Sequence, residues 1–226
     1  MIPKKVFWLF LFLSTAALAA SKPHVITFGK WSSVQWQTGN PDDKPLTLKM
    51  RALFVDGKLK EYTTGPPHEV TDRLFAVRRA FRVNDSLPDA SPTALRWQWQ
   101  RGGWLLVDRT TGHVSTLNLP EFDALYSATS WYRDYVAYCG VSDDGKKLYA
   151  VVAQISRRKP VLKKPLAGSD GVADEDVPDS ACPAPAWQRG PARVTFESGG
   201  GKQSYAIRGH VVDLVNDNDE DVEGSK

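Results

Sequence analysis

The chain has 226 residues, 42% of them apolar and 24% charged, a composition suited to a folded core and unlike that of a disordered or fibrous protein. Its 29 basic and 26 acidic residues leave a formal charge of +3, which falls to +1 when a leader carrying Lys4 and Lys5 is removed. So small an excess gives no reason to expect a nucleic acid as partner.

The first twenty residues read as a secretory signal peptide: a basic start at Lys4 and Lys5, an unbroken apolar run from Val6 to Leu13, and a small-residue close at Ala16 to Ala20. Cleavage is expected after Ala19 or Ala20. The apolar run is too short to span a bilayer, and no cysteine stands at the junction to carry a lipid, so no transmembrane segment or lipid anchor is expected in the mature chain. What remains is read as a periplasmic or extracellular protein with one β-rich domain over 21–215 and a disordered acidic tail at 216–226.

In chain order, Leu48 to Val55 is an apolar-rich run that ends at Asp56-Gly57, with Lys58 to Tyr62 returning; Asp-Gly between such runs is a strong hairpin signal. Residues 68–83 fit two periods. Val70, Leu74, Val77 and Phe81 recur at helical spacing behind Pro66-Pro67, while Phe75, Val77, Phe81 and Val83 share a strand face; we read a strand, with a helix as the alternative. Leu95 to Gln100 alternates, with Leu95, Trp97 and Trp99 on one side. A second hairpin begins after a break at Arg101-Gly102-Gly103 and joins Trp104–Asp108 to His113–Leu119 through Thr110-Thr111-Gly112. A third joins a single long strand, Trp131–Val141, to Lys146–Ile155 through Ser142-Asp143-Asp144-Gly145. Arg193–Glu197 and Gln203–Leu214 flank a glycine turn at Ser198 to Gly201.

These elements make an all-β protein of about ten strands, mainly antiparallel hairpins, folded as a β-sandwich or a partly open barrel. The alternative is a small propeller-like repeat of hairpins. Leu53-Phe54-Val55-Asp56-Gly57 is echoed 52 positions later by Leu105-Leu106-Val107-Asp108, and the 142–152 stretch resembles the turn and strand of a β-propeller blade. A propeller needs at least about four blades, which this length would barely supply.

Two cysteines in an exported chain favour pairing. Cys139 ends the Trp131–Val141 run and Cys182 lies in a flexible acidic and Pro-rich loop at 166–186; a bond closing about 43 residues is worth about 4 kcal/mol by chain entropy. Arg157, Arg158, Lys159, Lys163 and Lys164 form a basic strip that either protects a sheet edge or docks an anionic partner. The acidic tail lacks the Gly and Glu register of a calcium loop.

Motifs that carry a reaction are missing from the sequence: no Gly-x-Ser-x-Gly elbow, phosphate-cradling loop or paired-cysteine zinc spacing occurs. His68-Glu69 followed by Asp72 approaches a zinc helix but offers no third ligand, and Glu121 with Asp123 near Tyr126 imitates a glycosidase pair. No catalytic residue, metal or cofactor is expected. Flat rings can stack on sugars, and the aromatic groove with the best support is Trp97, Trp99, Trp131 and Arg133. The functional expectation is a non-enzymatic binding or scaffolding protein of the cell envelope, its partner an anionic envelope polymer or another envelope protein. The rival is an envelope hydrolase acting on glycan or peptide with catalytic residues dispersed over loops.

Overall fold

The computed structural model describes residues 23–36, 44, 46–84, 86, 97–166, 182–199, 201–208 and the backbone of 211–215. The leader at 1–20, most of the 166–186 loop and the acidic tail lie outside these residues. All the regular structure described is β: fifteen strands in three sheets.

The first sheet has seven strands: β1 (Ile26–Phe28), β2 (Ser32–Trp36), β3 (Leu46–Val55), β4 (Lys58–Glu69), β5 (Leu74–Asn84), β6 (Trp97–Asp108) and β7 (Val114–Leu117). β3 pairs with β1 and β2 along one edge and with β4 along the other, and β4, β5 and β6 follow as antiparallel neighbours. The ring β2-β3-β4-β5-β6 returns on itself where Trp36 of β2 pairs in parallel with Trp99 of β6, giving a partly open barrel. Closure in this way leaves few unpaired edges. Leu53, Phe75, Val77, Leu105 and Val107 fill one part of this sheet's core, and Trp36, Leu48, Met50 and Ala80 fill another.

Local chemistry sets the ladder. Asp56 and Gly57 both take positive φ (51° and 74°), as a tight hairpin turn between right-twisted strands requires. Pro66 and Pro67 have no N–H to give a ladder, and β4 accordingly leaves it there: pairing stops at Thr64–Arg78 and resumes at His68–Ala76, with Gly65 at φ 70°. Residues 68–83 are therefore strand, turn and strand. The Gly102-Gly103 pair, read from the sequence as a break before Trp104, instead lies inside β6 as a bulge, because Ala80 faces Arg101 while Arg78 faces Trp104.

The second sheet runs β8 (Thr129–Tyr132), β9 (Tyr135–Val141), β10 (Leu148–Gln154) and β11 (Leu162–Pro165). The third runs β12 (Ala186–Arg189), β13 (Ala192–Ser198), β14 (Gly201–Arg208) and β15 (Val211–Val215). The second sheet is the middle layer, and alternation along β9 shows why. Val136 and Tyr138 pack with Ala76 and Trp104 of the first sheet, while Ala137 and Cys139 pack with Val194, Phe196, Tyr205 and Ile207 of the third. A strand covered on both faces reads as a near-continuous apolar run. Cys139 and Cys182 are disulfide-bonded, Cα to Cα 6.2 Å, tying the middle sheet to the segment that enters β12.

Two further boundaries differ from the sequence reading. Trp131–Val141 is two strands, not one, folded back at Arg133-Asp134 so that Tyr132 faces Tyr135. Arg133 takes φ 55° there without the Gly or Asn that usually marks such a turn. Gln203–Leu214 likewise divides into β14 and β15, Arg208 facing Val211. With the short strands β1, β2, β11 and β12, and with the Leu95–Gln100 and Trp104–Asp108 runs merged in β6, these divisions make the strands fifteen rather than about ten. The propeller alternative is not this arrangement, since the two hairpins that echo each other belong to one seven-stranded sheet.

Candidate ligand-binding cleft

Where the barrel meets the middle sheet, Thr64 to His68, Arg78, Arg101, Trp104, Ser127 to Thr129 and Trp131 surround a cleft of about 500 Å³. Arg78 stands on β5 two residues beyond Ala76, on the side that packs toward the second sheet. It is 7% exposed, an unusual position for a guanidinium. Its Nε donates to the carbonyl of Gly102 and its Nη2 to that of Ala124 at 2.7 Å. The cation lies over the rings of Phe122 (4.8 Å) and Trp104 (5.7 Å). Arg101, across the Gly102 bulge, donates through Nη2 to the carbonyl of Leu125 at 3.0 Å and stacks over Trp36 at 5.1 Å.

The loop that supplies these carbonyls is itself clamped. Asp123 Oδ1 accepts from the amides of Leu125 (2.7 Å) and Tyr126 (3.0 Å), and Ser127 Oγ donates to the carbonyl of Cys139 at 2.7 Å. Glu121 is held by Lys163 Nζ at 2.5 Å, so both carboxylates of the supposed glycosidase pair are engaged in structural contacts. Burial, and after it the charge of Arg101, pushes the Arg78 guanidinium down to about 9, partly offset by Asp123; it remains a cation at neutral pH. Both guanidiniums thus have carbonyl dipoles as hydrogen-bond partners, and the described residues lining the cleft include no carboxylate.

Aromatic groups make the opposite wall. Trp131 stacks on His68 at 4.9 Å and meets Trp104 edge to face at 4.9 Å. His68 Nε2 lies 2.7 Å from the carbonyl of Arg133, which can only accept, so that nitrogen carries a proton. The indole N–H groups of Trp104 and Trp131 are buried with no acceptor, a cost of about 1–3 kcal/mol each that a fold ordinarily avoids.

The structure divides the residues singled out from the sequence. Trp131 lines the cleft. Arg133 is exposed at the β8–β9 turn, its carbonyl on His68 and its guanidinium 5.3 Å above Tyr132. Trp97 and Trp99 lie elsewhere on the barrel, flanking Arg82 at 5.7 and 5.3 Å, with Trp99 packed edge-on to Tyr62. The four do not form one groove. Of the basic strip, Lys163 and Lys164 are on β11, an edge strand, and Arg157, Arg158 and Lys159 are in the connection from β10; all five are exposed. Sequence reasoning missed Arg78, Arg101 and Trp104 as a cluster. The available signal was Arg78 itself, a cation at a core-facing position within the apolar run Phe75-Ala76-Val77.

Among the described residues, no helix is long and apolar enough to cross a membrane, and no group of three or more His, Cys, Asp or Glu side chains is placed to hold a metal ion. No protein-family model matches the chain, and no curated protein or solved structure matches it, so its function must be argued from this chemistry alone.

Proposed function

We propose that the protein is an exported, non-enzymatic binding or scaffolding module of the cell envelope, and that its ligand seats in the cleft between the barrel and the middle sheet. The observation that carries this reading is Arg78, a buried cation in the lining of the cleft, held by carbonyls and set beside the indole walls of Trp104 and Trp131. Burying Arg78 in this lining costs desolvation and repulsion from Arg101, offset in part by Asp123, and an anionic group in the cleft would offset more of it. General acid–base or nucleophilic chemistry would want a group poised beside an activating partner, and the lining supplies donors and rings instead. The disulfide accords with an oxidising compartment. The basic strip is assigned to edge protection: charges along β11 discourage another strand from pairing there.

The test is capture from an envelope extract by the mature chain, by an Arg101→Gln variant and by a variant with Arg157, Arg158, Lys159, Lys163 and Lys164 changed to Ser. Material retained by the wild type and the strip variant, and lost by Arg101→Gln, is the expected result. Capture that survives Arg101→Gln and disappears with the strip would move the binding surface to β11 and overturn the cleft.

A further inference from the structure

On the far side of the Gly65-Pro66-Pro67 bulge, the outer face of the barrel carries a second cleft of about 910 Å³. Alternation along β3 places its polar groups. Leu48 and Met50 turn into the barrel core, so Thr47, Lys49 and Arg51 turn outward, and Ser33 joins them because it faces Lys49 across the β2–β3 ladder. Trp31, just ahead of β2, and the Gly65-Pro66-Pro67 ridge complete the lining with apolar surface.

Arg51 is held in this cleft by rings. Its guanidinium lies over Phe28 at 3.8 Å and over Trp31 at 4.3 Å, and its Nε is buried with no hydrogen-bond partner. Burial lowers the Arg51 pKa from the ordinary guanidinium value. Stacking occupies the face of a guanidinium, whereas its N–H groups lie in the plane and reach past the rings. Lys49 is exposed two residues along the same face, and Trp31 is 48% exposed, a large ring offered to solvent.

We infer that this outer cleft is a second binding site, for a small aromatic carboxylate whose ring lies against Trp31 and the Pro66-Pro67 ridge and whose carboxylate meets Arg51 and Lys49. The site stands apart from the cleft between the barrel and the middle sheet and does not rest on a ligand being seated there. Each part of the lining has a use for such a molecule. A carboxylate accepts two in-plane N–H groups of a guanidinium at once, an aromatic ring packs offset on an indole, and Ser33 and Thr47 supply hydroxyls for a phenolic substituent.

Competing ligands use less of what is present. A quaternary ammonium would suit Trp31 alone and is repelled by Lys49 and Arg51. Sugar C–H groups carry partial positive charge and favour an electron-rich ring, but Arg51 already draws on both rings here. Inorganic phosphate would meet the cations and leave Trp31 and the prolines idle. An extended peptide gains affinity by adding a strand to an open edge, whereas β3 is already paired with β2 along Thr47 to Lys49, and Pro66 and Pro67 have no N–H to give.

The experiment is isothermal titration calorimetry of the disulfide-intact mature chain with para-hydroxycinnamate, its methyl ester, glucuronate, inorganic phosphate and an oligoglutamate. Para-hydroxycinnamate is expected to bind and its ester to bind about 10-fold more weakly or not at all, as loss of a charged hydrogen bond predicts. Arg51→Gln should weaken the acid by a similar factor. Lys49→Gln, a change at an exposed side chain, should weaken it several-fold with the thermal midpoint unchanged, which separates loss of binding from loss of fold. Arg101→Gln, altered in the other cleft, should bind as the wild type does. No binding of para-hydroxycinnamate, equal binding of the ester, tighter binding of any of the other three probes, indifference to Lys49→Gln, or loss in Arg101→Gln overturns the inference. Envelope capture and this titration read different residues, so either can fail while the other holds.

Discussion

Arginines at two ends of the same barrel are treated in opposite ways. At the turn end, Arg73 forks onto Asp108, Nε lying 2.9 and 3.0 Å from the two oxygens, and Arg109 reaches both oxygens of Glu69 at 2.7 and 2.8 Å. At the cleft end, Arg78 and Arg101 donate to carbonyls. The first arrangement closes the charge account within the protein and fastens the β4–β5 and β6–β7 turns to each other. The second sets the guanidiniums against carbonyl dipoles and aromatic rings. Four arginines of one sheet thus differ in the partners described for them: two meet carboxylates and two meet carbonyls.

The comparison breaks most visibly at Trp104, which is 8% exposed and joins the first sheet's packing to the second while touching Trp131. Trp104→Ala should cost about 3–5 kcal/mol in urea unfolding, the range for truncating a buried aromatic. A change below about 1 kcal/mol would show that this wall is not part of the core. Arg101→Gln sharpens the contrast: stability should move by only about 1 kcal/mol, while capture of envelope material is lost.

Acid titration probes the other end. Hydrogen bonds from Arg73 hold the Asp108 carboxyl well below the usual carboxylate range, those from Arg109 lower Glu69, and the contact with His24 lowers Asp56. A carboxylate depressed in the folded state stabilises fully above its unfolded value, and the contribution drains away as pH falls. The thermal midpoint should thus drop below about pH 4, and Asp108→Asn should flatten that drop; a midpoint equally steep in the variant would deny the pair its role. The smallest effect belongs to Glu69→Gln, which removes one partner of an exposed bidentate pair and should cost about 0.2–1 kcal/mol after solvent screening. Equilibrium unfolding at neutral pH checks it, and a larger loss would mean that the turn end carries more of the fold than its exposure implies.

Much of the fold was legible because it follows from local chemistry. Asp56-Gly57 announces its hairpin, and alternation of apolar residues marks the strands. The cysteine pair is favoured by an exported chain. The turn at Arg133-Asp134 was not legible: positive φ at an arginine is set by its surroundings, including Asp134 accepting from Gln154 Nε2 at 2.8 Å, and leaves no mark in composition. Gly102-Gly103 misled in the other direction, since glycine serves a bulge as readily as a strand end. The cleft was hidden for a topological reason. Its lining comes from β4, β5, β6, β8 and the segment before β8, so residues nearly seventy positions apart meet only after the barrel has packed on the middle sheet. Trp131 was found because tryptophans attract notice; Arg78 was passed over because arginines beside apolar strands are common.

Cys139 has two attachments that point in different directions. Its sulfur is bound to Cys182, and its carbonyl holds Ser127, the last residue of the loop whose carbonyls steady Arg78 and Arg101. Oxidation therefore does more than fasten a distant segment; it fixes the strand on which the arginine-bearing wall leans. Material prepared under reducing conditions would keep every residue of the cleft and lose part of its tension, and a weak ligand measured on such material would say more about the thiols than about the site.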